Sequence, residues 1–429
     1  MATKQKLVIL GGGFAGLNLV KHIDKRQYDV TLIDRNNYHS FPPLFYQVAS
    51  SGLDPTSISF PLRLEVRKAM REGTRFHMGN VTSIDVAAKT VTTSSGVIDY
   101  DKLVLALGTT NNFFGNDELL FDVYTLKSID ESIRCRNEIL DRCERAAVAR
   151  DPEERKRLLS FVVIGGGPAG VEIAGAIGEI KRYILQRDYP EISPDEMSIT
   201  ILEGTDRLLR TMSEEASAAA LDGLEKLMVN VRLNTLMENY KDNVVHLKGG
   251  GEIYSEMVIW TAGVTAVPFN IVGAPDFQRG PGGRFATDEH CAVTGLKDIY
   301  ALGDMNYMPS ADYPRGLPQL AQVAIQQGRY LAKALNKGSF DKPFKYVDKG
   351  SMATIGRNKA VADIGKVHLK GFGAWMAWMF IHLISLLGMR SKINVLLNWV
   401  WSYFTFNTSL RLLLRGAKYP RRGTLWDRG

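Results

Sequence analysis

Two glycine-rich stretches of the chain have the residue types and the spacing that bind a pyrophosphate. The glycines of the G-x-G-x-x-G patterns are Gly11, Gly13 and Gly16 in the first stretch and Gly165, Gly167 and Gly170 in the second. In such a turn the first glycine permits the tight bend, the second lets the backbone approach the phosphates, and the third lets the helix pack on the strand. The N–H groups at the start of the helix then face the anion. Each stretch therefore predicts a dinucleotide-binding site.

An acidic residue follows each glycine turn at the end of an apolar stretch. Asp34 ends YDVTLID, and Glu203 ends MSITILE. A carboxylate at this place accepts hydrogen bonds from ribose hydroxyls and repels a 2′-phosphate, so Glu203 favours NADH over NADPH. Arg207 and Arg210 lie nearby in the sequence and keep NADPH open as an alternative.

The elements that must position these residues form two strand-turn-helix units. The runs KLVIL at 6–10 and SFVVI at 160–164 are short and apolar, as buried parallel strands are. A helical stretch to about Lys25 follows the first turn, and a long helix follows the second. Residues 186–196, QRDYPEISPDE, predict a loop before the strand that ends in Glu203. The predicted fold class is α/β, with two Rossmann-like domains.

Three further motifs complete a resemblance to the two-dinucleotide-binding-domain flavoproteins. They are YDKLVLALGT at 100–109, MVIWTAGV at 257–264 and DIYALGDM at 298–305. The resemblance implies FAD in the N-terminal unit and NADH in an inserted unit. Beside the first glycines and Asp34, the residues it implies at FAD are Phe14, Ala15, Ala106, Gly108, Gly303, Asp304 and Ala321. Beside the second glycines and Glu203, those it implies at NADH are Pro168, Ala262 and Gly263.

The same resemblance predicts a division into four segments. These are the FAD-binding segments 1–115 and 276–345, the inserted NADH-binding segment 116–275, and a C-terminal amphipathic, membrane-associating segment 346–429.

Cysteine usage argues against disulfide chemistry. The chain has three cysteines, Cys135, Cys143 and Cys291, with no CxxC pair. Reduction of a disulfide at the flavin needs a redox pair or one reactive thiol there. The sparse cysteines, and an N-terminus without the pattern of a secretory signal, predict a reducing compartment. The seven histidines show no metal-ligand spacing, so no metal is expected.

The helical stretch LPQLAQVAIQQGRYLAKAL at 317–335 resembles the AQxAxQ segment of the type II NADH:quinone oxidoreductases. Gln322 and Gln326 lie four apart, on one face of the predicted helix. The resemblance implies that Gln322 lies at the quinone headgroup. An amide can donate to a quinone carbonyl and accept from the quinol. Some relatives have histidine three residues after the first glutamine, whereas this chain has Ile325, which cannot supply a proton.

Two ionisable residues are further candidates for turnover. Glu172 follows Gly170 in the first turn of the predicted helix, where an acid also stabilises the helix dipole. The family resemblance implies that it lies between nicotinamide and flavin and assists hydride or proton movement. Lys359, in ATIGRNKAVAD, is a weaker candidate for supplying protons.

The basic surplus of the chain is confined to its C-terminal end. The net charge is +7, and residues 371–429 contain eight Lys/Arg and one acid. A surplus beside an apolar run favours an anionic lipid surface over nucleic acid. Trp375, Trp378, Trp399, Trp401 and Trp426 suit the boundary between headgroups and hydrocarbon.

The run GFGAWMAWMFIHLISLLGM at 371–389 has three interpretations. It forms an in-plane membrane anchor, a marginal spanning helix, or a buried core or dimer surface. The anchor is favoured because the quinone tail stays in lipid, and the family resemblance implies the same.

The predicted function is oxidation of NADH and reduction of a membrane quinone through FAD, without proton pumping. The enzyme would be peripheral on the cytoplasmic side of the inner membrane, and a homodimer is compatible with this arrangement. Two alternatives stay open. One is a soluble NAD(P)H:acceptor reductase, and the other is an NADH-sensing flavoprotein scaffold.

Overall fold

The computed structural model describes residues 4–274, 277–405 and 410–413, and the two predicted strand-turn-helix units fall into different compact parts of the chain. The first unit comprises Met1–Ser40, Phe60–Thr110 and Val264–Asp348. The second unit comprises Phe41–Ser59, Asn111–Gly263 and Lys349–Gly429.

The α-helices of the described residues are α1 Phe14–His22, α2 Phe45–Ala49, α3 Leu62–Glu65, α4 Arg67–Arg71, α5 Leu119–Asp122, α6 Ile129–Val148, α7 Pro152–Leu158, α8 Pro168–Glu179, α9 Leu185–Asp188, α10 Glu214–Lys226, α11 Ala321–Lys337, α12 Phe372–Ser385 and α13 Met389–Thr405. A π-helical turn, Ile180–Ile184, continues α8.

The strands are β1 Gln5–Leu10, β2 Tyr28–Asp34, β3 Tyr38–Ser40, β4 Ser59–Pro61, β5 Arg75–Met78, β6 Val81–Asp85, β7 Thr90–Thr93, β8 Gly96–Asp99, β9 Lys102–Leu105, β10 Thr109–Asn111, β11 Tyr124–Thr125, β12 Ser160–Ile164, β13 Ser198–Leu202, β14 Asn230–Arg232, β15 Met237–Lys241, β16 Val244–Leu247, β17 Glu252–Tyr254, β18 Met257–Trp260, β19 Val264–Ala266, β20 Asn270–Val272, β21 Phe285–Ala286, β22 Ile299–Ala301, β23 Asn306–Tyr307, β24 Ser351–Gly356, β25 Lys359–Ile364 and β26 Val367–Gly371.

A five-stranded parallel sheet of order β22-β9-β1-β2-β5 organises the first unit. Its central strand β1 is buried from Leu7 to Leu10, which is why the sequence there is continuously apolar. Helix α11 packs closely on α1: a Cβ on Gly328 would lie 2.4 Å from the carbonyl oxygen of Ala15. The glycine therefore allows the two helices to approach.

A second parallel sheet, of order β11-β18-β12-β13-β14, organises the second unit. All five residues of β12 are buried. Helix α8 leaves this strand and packs on β24, where a Cβ on Gly175 would lie 2.5 Å from the carbonyl oxygen of Ile355. Strands β24, β25 and β26 form an antiparallel sheet that continues into α12.

Helix boundaries differ from the sequence predictions at two places. Helix α1 ends at His22 instead of near Lys25, because Ile23 is extended with ψ 143°. Helix α11 begins at Ala321 instead of directly after Pro318, because Leu320 is extended with ψ 146°.

The packing also groups the chain differently from the predicted segments. Phe41–Ser59 belongs to the second unit, because α2 packs on α6 and α8. The segment from Lys349 onward packs with the same unit, through β24 against α8.

The apolar run at 371–389 is divided between two helices. Helix α12 has 14 residues and ends at Ser385, since Leu386 is extended with ψ 148°. Within the described ranges, no helix is long and apolar enough to cross a membrane.

Candidate functional site

In the first glycine turn, backbone conformation and packing require glycine at two positions, Gly11 and Gly16, but not at the third, Gly13. Gly11 has φ +104°, and its Cβ would lie 2.2 Å from the carbonyl oxygen of Ala106. A Cβ on Gly16 would lie 1.9 Å from the carbonyl oxygen of Gly11. Gly13 is exposed, has an ordinary φ of −71°, and has nothing within 4 Å of the position of a Cβ. Its missing side chain leaves open space at the start of α1.

The second glycine turn repeats this arrangement. Gly165 has φ +106° and would place a Cβ 3.0 Å from the backbone of Ala262. A Cβ on Gly170 would lie 1.8 Å from the carbonyl oxygen of Gly165. Gly167 is exposed with φ −72° and has open space around it, as Gly13 has. Among the described glycines, Gly373 alone shares this combination of ordinary φ and free space with the two turn glycines.

The acids at the strand ends hold the two turns in the same way. Asp34 Oδ2 accepts a hydrogen bond from Gly12 N at 2.6 Å, and Glu203 Oε2 accepts one from Gly166 N at 2.6 Å. Glu203 Oε1 also accepts bonds from Thr205 N and Oγ1 at 2.8 and 2.7 Å. Burial raises the pKa of Asp34, and the N–H groups of Asn36 and Gly12 oppose that rise.

The helices that begin at these turns have no side chain at their N-cap, because Gly13 and Gly167 occupy it. Ser128, Asp151 and Ser213 cap α6, α7 and α10 with side-chain hydrogen bonds. The N–H groups at the start of α1 and α8 therefore remain available to an anion.

The motif DIYALGDM at 298–305 belongs to the first unit and lies beside the N-terminal half of α11. Gly303 N donates to Gln327 Oε1 at 2.7 Å, and Asp304 Oδ2 accepts from Thr109 Oγ1 at 3.2 Å. A Cβ on Gly303 would lie 3.0 Å from Cβ of Ala324. Gln327 is fully buried, and its Nε2 has no hydrogen-bond partner among the described residues. Gln327 is absent from the residues that the sequence motifs predict, although it directly follows Gln326.

The two glutamines of the AQxAxQ segment, Gln322 and Gln326, have different environments. Gln326 Nε2 donates to the carbonyl of Val347 at 2.9 Å, and Gln326 Oε1 accepts from Val347 N at 3.0 Å. Both ends of its amide thus bind backbone. Gln322 lies one turn earlier, in the first turn of α11.

Glu172 lies on α8 and faces β24. Its Oε1 accepts a hydrogen bond from Thr354 N at 3.4 Å. Burial raises the pKa of Glu172 well above its usual range, and this N–H opposes the rise only in part. Lys359 begins β25. Burial raises the pKa of Glu179, and the charges of Arg357 and Lys359 oppose that rise. The hydrogen bond from Lys226 lowers the pKa of Asp222, and the charge of Lys359 adds to that effect.

A cavity of about 130 Å³ adjoins Glu172 within the second unit. Its lining combines aromatic and polar side chains, which include Tyr46, Gln47, Thr354, Trp375, Trp378, Trp399 and Tyr403. An apolar cavity of about 150 Å³ holds a benzene ring, so this cavity has the size of a single small ring. Trp378 is 1% exposed, and its Nε1 has no hydrogen-bond acceptor among the described residues.

Comparison with known proteins assigns the chain to a family. The pyridine nucleotide-disulphide oxidoreductase model matches residues 5–328, and the NDH2 C-terminal domain model matches residues 349–406. The type II NADH:quinone oxidoreductase NdhA of Mycobacterium tuberculosis is 37% identical over 418 residues, which cover 93% of this chain and 87% of that protein. The chain belongs to the type II NADH:quinone oxidoreductases. The Ndh protein of the same organism, of the same type, is 32% identical over 94% of this chain and 89% of its own length.

A solved structure shares the fold of this type II oxidoreductase. NDH2 from Plasmodium falciparum in complex with NADH superposes with a TM-score of 0.87 at 22% identity, over 96% of this chain and all of that chain. The broader pyridine nucleotide-disulphide family is FAD-dependent. The predicted family and fold class are confirmed.

Disulfide chemistry has no support in this type II oxidoreductase. Cys135, Cys143 and Cys291 are all free and buried. Burial raises the pKa of each thiol, to about 12 for Cys143. A buried thiol with a raised pKa is a poor nucleophile at neutral pH. In the described part of the chain, no group of three or more His, Cys, Asp or Glu could hold a metal ion.

Proposed function

We propose that the chain oxidises NADH and reduces a membrane quinone, with FAD as its cofactor and without pumping protons. The observation that supports this most strongly is the pair Gly13 and Gly167. Neither backbone strain nor internal packing requires glycine at these positions, and a side chain there would project into the open start of a helix. We call each glycine turn with the open helix start that follows it a cradle. Two cradles in one chain fit two dinucleotides. FAD supplies the chemistry that accepts two electrons and passes them on.

The first unit fits FAD. The N–H groups at the start of α1 would bind its pyrophosphate beside Gly13. Asp34 would accept from the ribose, and Asp304 would hydrogen-bond the ribityl chain. We assign Gly11, Gly16, Phe14, Ala15, Ala106, Gly108, Gly303 and Ala321 to the walls of this site.

The second unit fits NADH. The start of α8 would bind the pyrophosphate beside Gly167, and Glu203 would hold the adenosine ribose. The carboxylate disfavours NADPH because a 2′-phosphate would meet its charge. We assign Gly165, Pro168, Gly170, Ala262 and Gly263 to the walls of this site.

The remaining candidates have separate roles. We assign Glu172 to the nicotinamide end of the NADH site, where a carboxyl whose pKa is raised by burial can hold and release a proton. Gln322 would bind the quinone headgroup through its amide. Gln326 positions the Val347 segment through its two hydrogen bonds. Lys359 lies near enough to Glu179 and Asp222 for its charge to favour their ionised forms, and its role in proton supply stays a proposal.

Helices α12 and α13 provide the contact with lipid. Their exposed large side chains repeat at intervals of four residues and form one apolar stripe on each helix. The stripe of α12 consists of Phe372, Met376, Phe380 and Ile384, and that of α13 of Met389, Ile393, Leu397 and Trp401. Such stripes fit helices that lie in one leaflet.

The tryptophans divide between this surface and the interior. Trp401 is 57% exposed, whereas Trp378 and Trp399 are buried, so the sequence prediction that all of them lie at the headgroup boundary is wrong. The buried pair packs within the second unit instead. Trp426 falls outside the described residues. We propose peripheral attachment on the cytoplasmic side of the inner membrane through residues 371–429, with a homodimer as a compatible assembly.

Valine substitutions at the open glycines test the function. Gly13→Val should give a folded protein without bound flavin, and Gly167→Val should keep the flavin but lose its reduction by NADH. Gly373→Val adds the same side chain at an equally open glycine and should keep both properties. The readouts are flavin content, anaerobic bleaching by NADH, and reoxidation by menaquinone and ubiquinone analogues. A colourless wild-type protein after reconstitution with FAD would refute the proposal.

A further inference from the structure

Tyr46 lies at the middle of a hydrogen-bond chain that crosses the second unit. Trp399 Nε1 donates to Gln47 Oε1 at 2.8 Å, and Gln47 Nε2 donates to the Tyr46 hydroxyl at 2.9 Å. The Tyr46 hydroxyl lies 2.8 Å from Thr354 Oγ1. The chain thus links α13 to β24 through α2.

The direction of these hydrogen bonds follows from their two ends. An indole N–H can only donate, so Gln47 presents its carbonyl oxygen to Trp399 and its amide N–H to Tyr46. The Tyr46 oxygen accepts from Gln47, and its other neighbour is Thr354 Oγ1, so a Tyr46 hydroxyl that donates to Thr354 is the arrangement in which this buried hydrogen has a partner. The orientation of each group therefore depends on the one before it.

Thr354 connects this chain to Glu172. Its side chain receives the Tyr46 hydroxyl, and its backbone N–H donates to Glu172 Oε1 at 3.4 Å. Thr354 is 4% exposed and Tyr46 is 8% exposed, so water has little access to either group. A small displacement of Thr354 would change the donor that reaches the carboxyl.

We infer that Tyr46 is a positioning residue for Glu172: by holding Thr354, it fixes the backbone N–H that stabilises the Glu172 carboxylate. Because these hydrogen bonds are connected, the position of the Thr354 N–H also depends on where the Trp399 indole lies on α13. The inference rests on the proposed function, since it describes how the carboxyl at the NADH site is tuned.

Apart from the Thr354 N–H, few groups around Glu172 stabilise the negative charge of its carboxylate. The titratable and charged groups that line the cavity together with Glu172 are Tyr46, Glu179, Tyr183, Arg357 and Tyr403. Lys359, Asp222 and His382 lie on the neighbouring elements β25, α10 and α12. Burial raises the pKa of Glu179, and Arg357 and Lys359 oppose that rise at Glu179. Burial lowers the pKa of His382, so its neutral ring adds no charge at neutral pH. Burial, and then the charge of Glu172, raise the pKa of Tyr46, so the phenol stays protonated as a donor.

A second contact fixes α13 to the same region. Arg357 donates to the carbonyl of Tyr403 at 3.2 Å and to Ser402 Oγ at 3.3 Å, and its backbone N–H donates to Glu179. Helix α13 is therefore held both at Trp399 and one turn later. Loss of the Trp399 N–H alone should leave the helix in place while it frees the Gln47 amide to turn.

The test is an infrared titration of the holoenzyme. The C=O stretching band of the protonated Glu172 carboxyl is identified by its absence in Glu172→Gln, and its intensity is followed against pH in each variant. Tyr46→Phe should move the midpoint upward by about 0.5 to 1 pH unit, because a weakened N–H donor favours the neutral carboxyl. Trp399→Phe should move it in the same direction by a smaller amount.

Tyr240→Phe is the matched control. Tyr240 is buried in the same unit, and its hydroxyl donates to the carbonyl of Ser255 at 2.9 Å, away from Glu172. An unchanged midpoint in Tyr46→Phe, or an equal shift in Tyr240→Phe, would overturn the inference. Thr354→Val removes the acceptor but keeps the backbone N–H, and it should reproduce the upward shift if Tyr46→Phe does not fold.

The proposed function is tested separately in the wild type. Reduction of the bound flavin by NADH establishes that function whatever the infrared result. If the wild type oxidises NADH and the midpoints do not move, the inference alone fails. If the wild type does not oxidise NADH, the proposed function fails.

Discussion

The side-chain amide of Gln326 pairs with the backbone of Val347 at both its N–H and its carbonyl. The two distances are 3.0 and 2.9 Å. Since a hydrogen bond contributes about 1 kcal/mol, Gln326→Leu should lower the free energy of unfolding by about 1 to 2 kcal/mol. Thermal unfolding of the two proteins measures this. The apparent quinone KM at a temperature where both are folded should stay close to that of the wild type.

Substitution of Gln322, unlike that of Gln326, should change the apparent quinone KM. Gln322→Leu should raise the apparent quinone KM by about tenfold, which corresponds to the loss of one hydrogen bond of about 1.4 kcal/mol to the headgroup. Reduction of the flavin by NADH should be unchanged, which rapid mixing without quinone measures. Slower flavin reduction with normal quinone kinetics would contradict the assignment.

Glu203 should control the choice between NADH and NADPH. Glu203→Gln removes the negative charge that a 2′-phosphate would meet, so the ratio of kcat/KM for NADPH to that for NADH should rise about tenfold or more. Thr205→Val is the control, because it removes the 2.7 Å hydroxyl bond to Glu203 but keeps the charge. If both variants changed the ratio equally, local geometry and not charge would determine the preference.

The apolar stripes on α12 and α13 should determine binding to lipid. Phe380 is 64% exposed and Leu397 61%, and burial of such side chains contributes about 1.5 to 3 kcal/mol each. Phe380→Asp and Leu397→Asp should each lower the partition onto anionic vesicles by at least about tenfold in a sedimentation assay. Val148→Asp is the control, since Val148 is 80% exposed on α6. A similar loss in the control would point to non-specific adsorption.

His382 should make the second unit acid-sensitive. Burial lowers the pKa of His382 from 6.5 to about 4. Its contribution to stability is complete above about pH 6.5 and is lost as the pH falls towards 4, because the unfolded chain binds the proton first. Since the side chain keeps some accessible surface, we expect a loss of about 2 kcal/mol. Urea unfolding at pH 7 and pH 5 should show the difference, and His382→Phe should reduce it, whereas the exposed His77→Gln should not.

The sequence could predict the cradles because they are local. Strands β2 and β12 have the predicted bounds, and the glycine turns follow β1 and β12 directly, since each unit is specified by contiguous residues. The type of each residue carries the information: only glycine tolerates the positive φ at Gly11 and Gly165.

The tuning of Glu172 was not predictable in the same way. Tyr46 and Thr354 are 308 residues apart in the sequence, and neither belongs to a motif with a recognised spacing. Tyr46 and Gln47 lie in FPPLFYQVAS, a segment with no cysteine and no motif of recognised spacing. Their pairing depends on α2 packing within the second unit, which local patterns do not encode.

The burial of all three thiols has a practical consequence. Thiol-alkylating reagents should find no accessible cysteine in the folded protein, because Cys135, Cys143 and Cys291 are each no more than 1% exposed. A single cysteine introduced on the surface would then be the sole target of a maleimide dye. The native cysteines therefore need not be removed before a fluorescent dye or spin label is attached to α12 or α13.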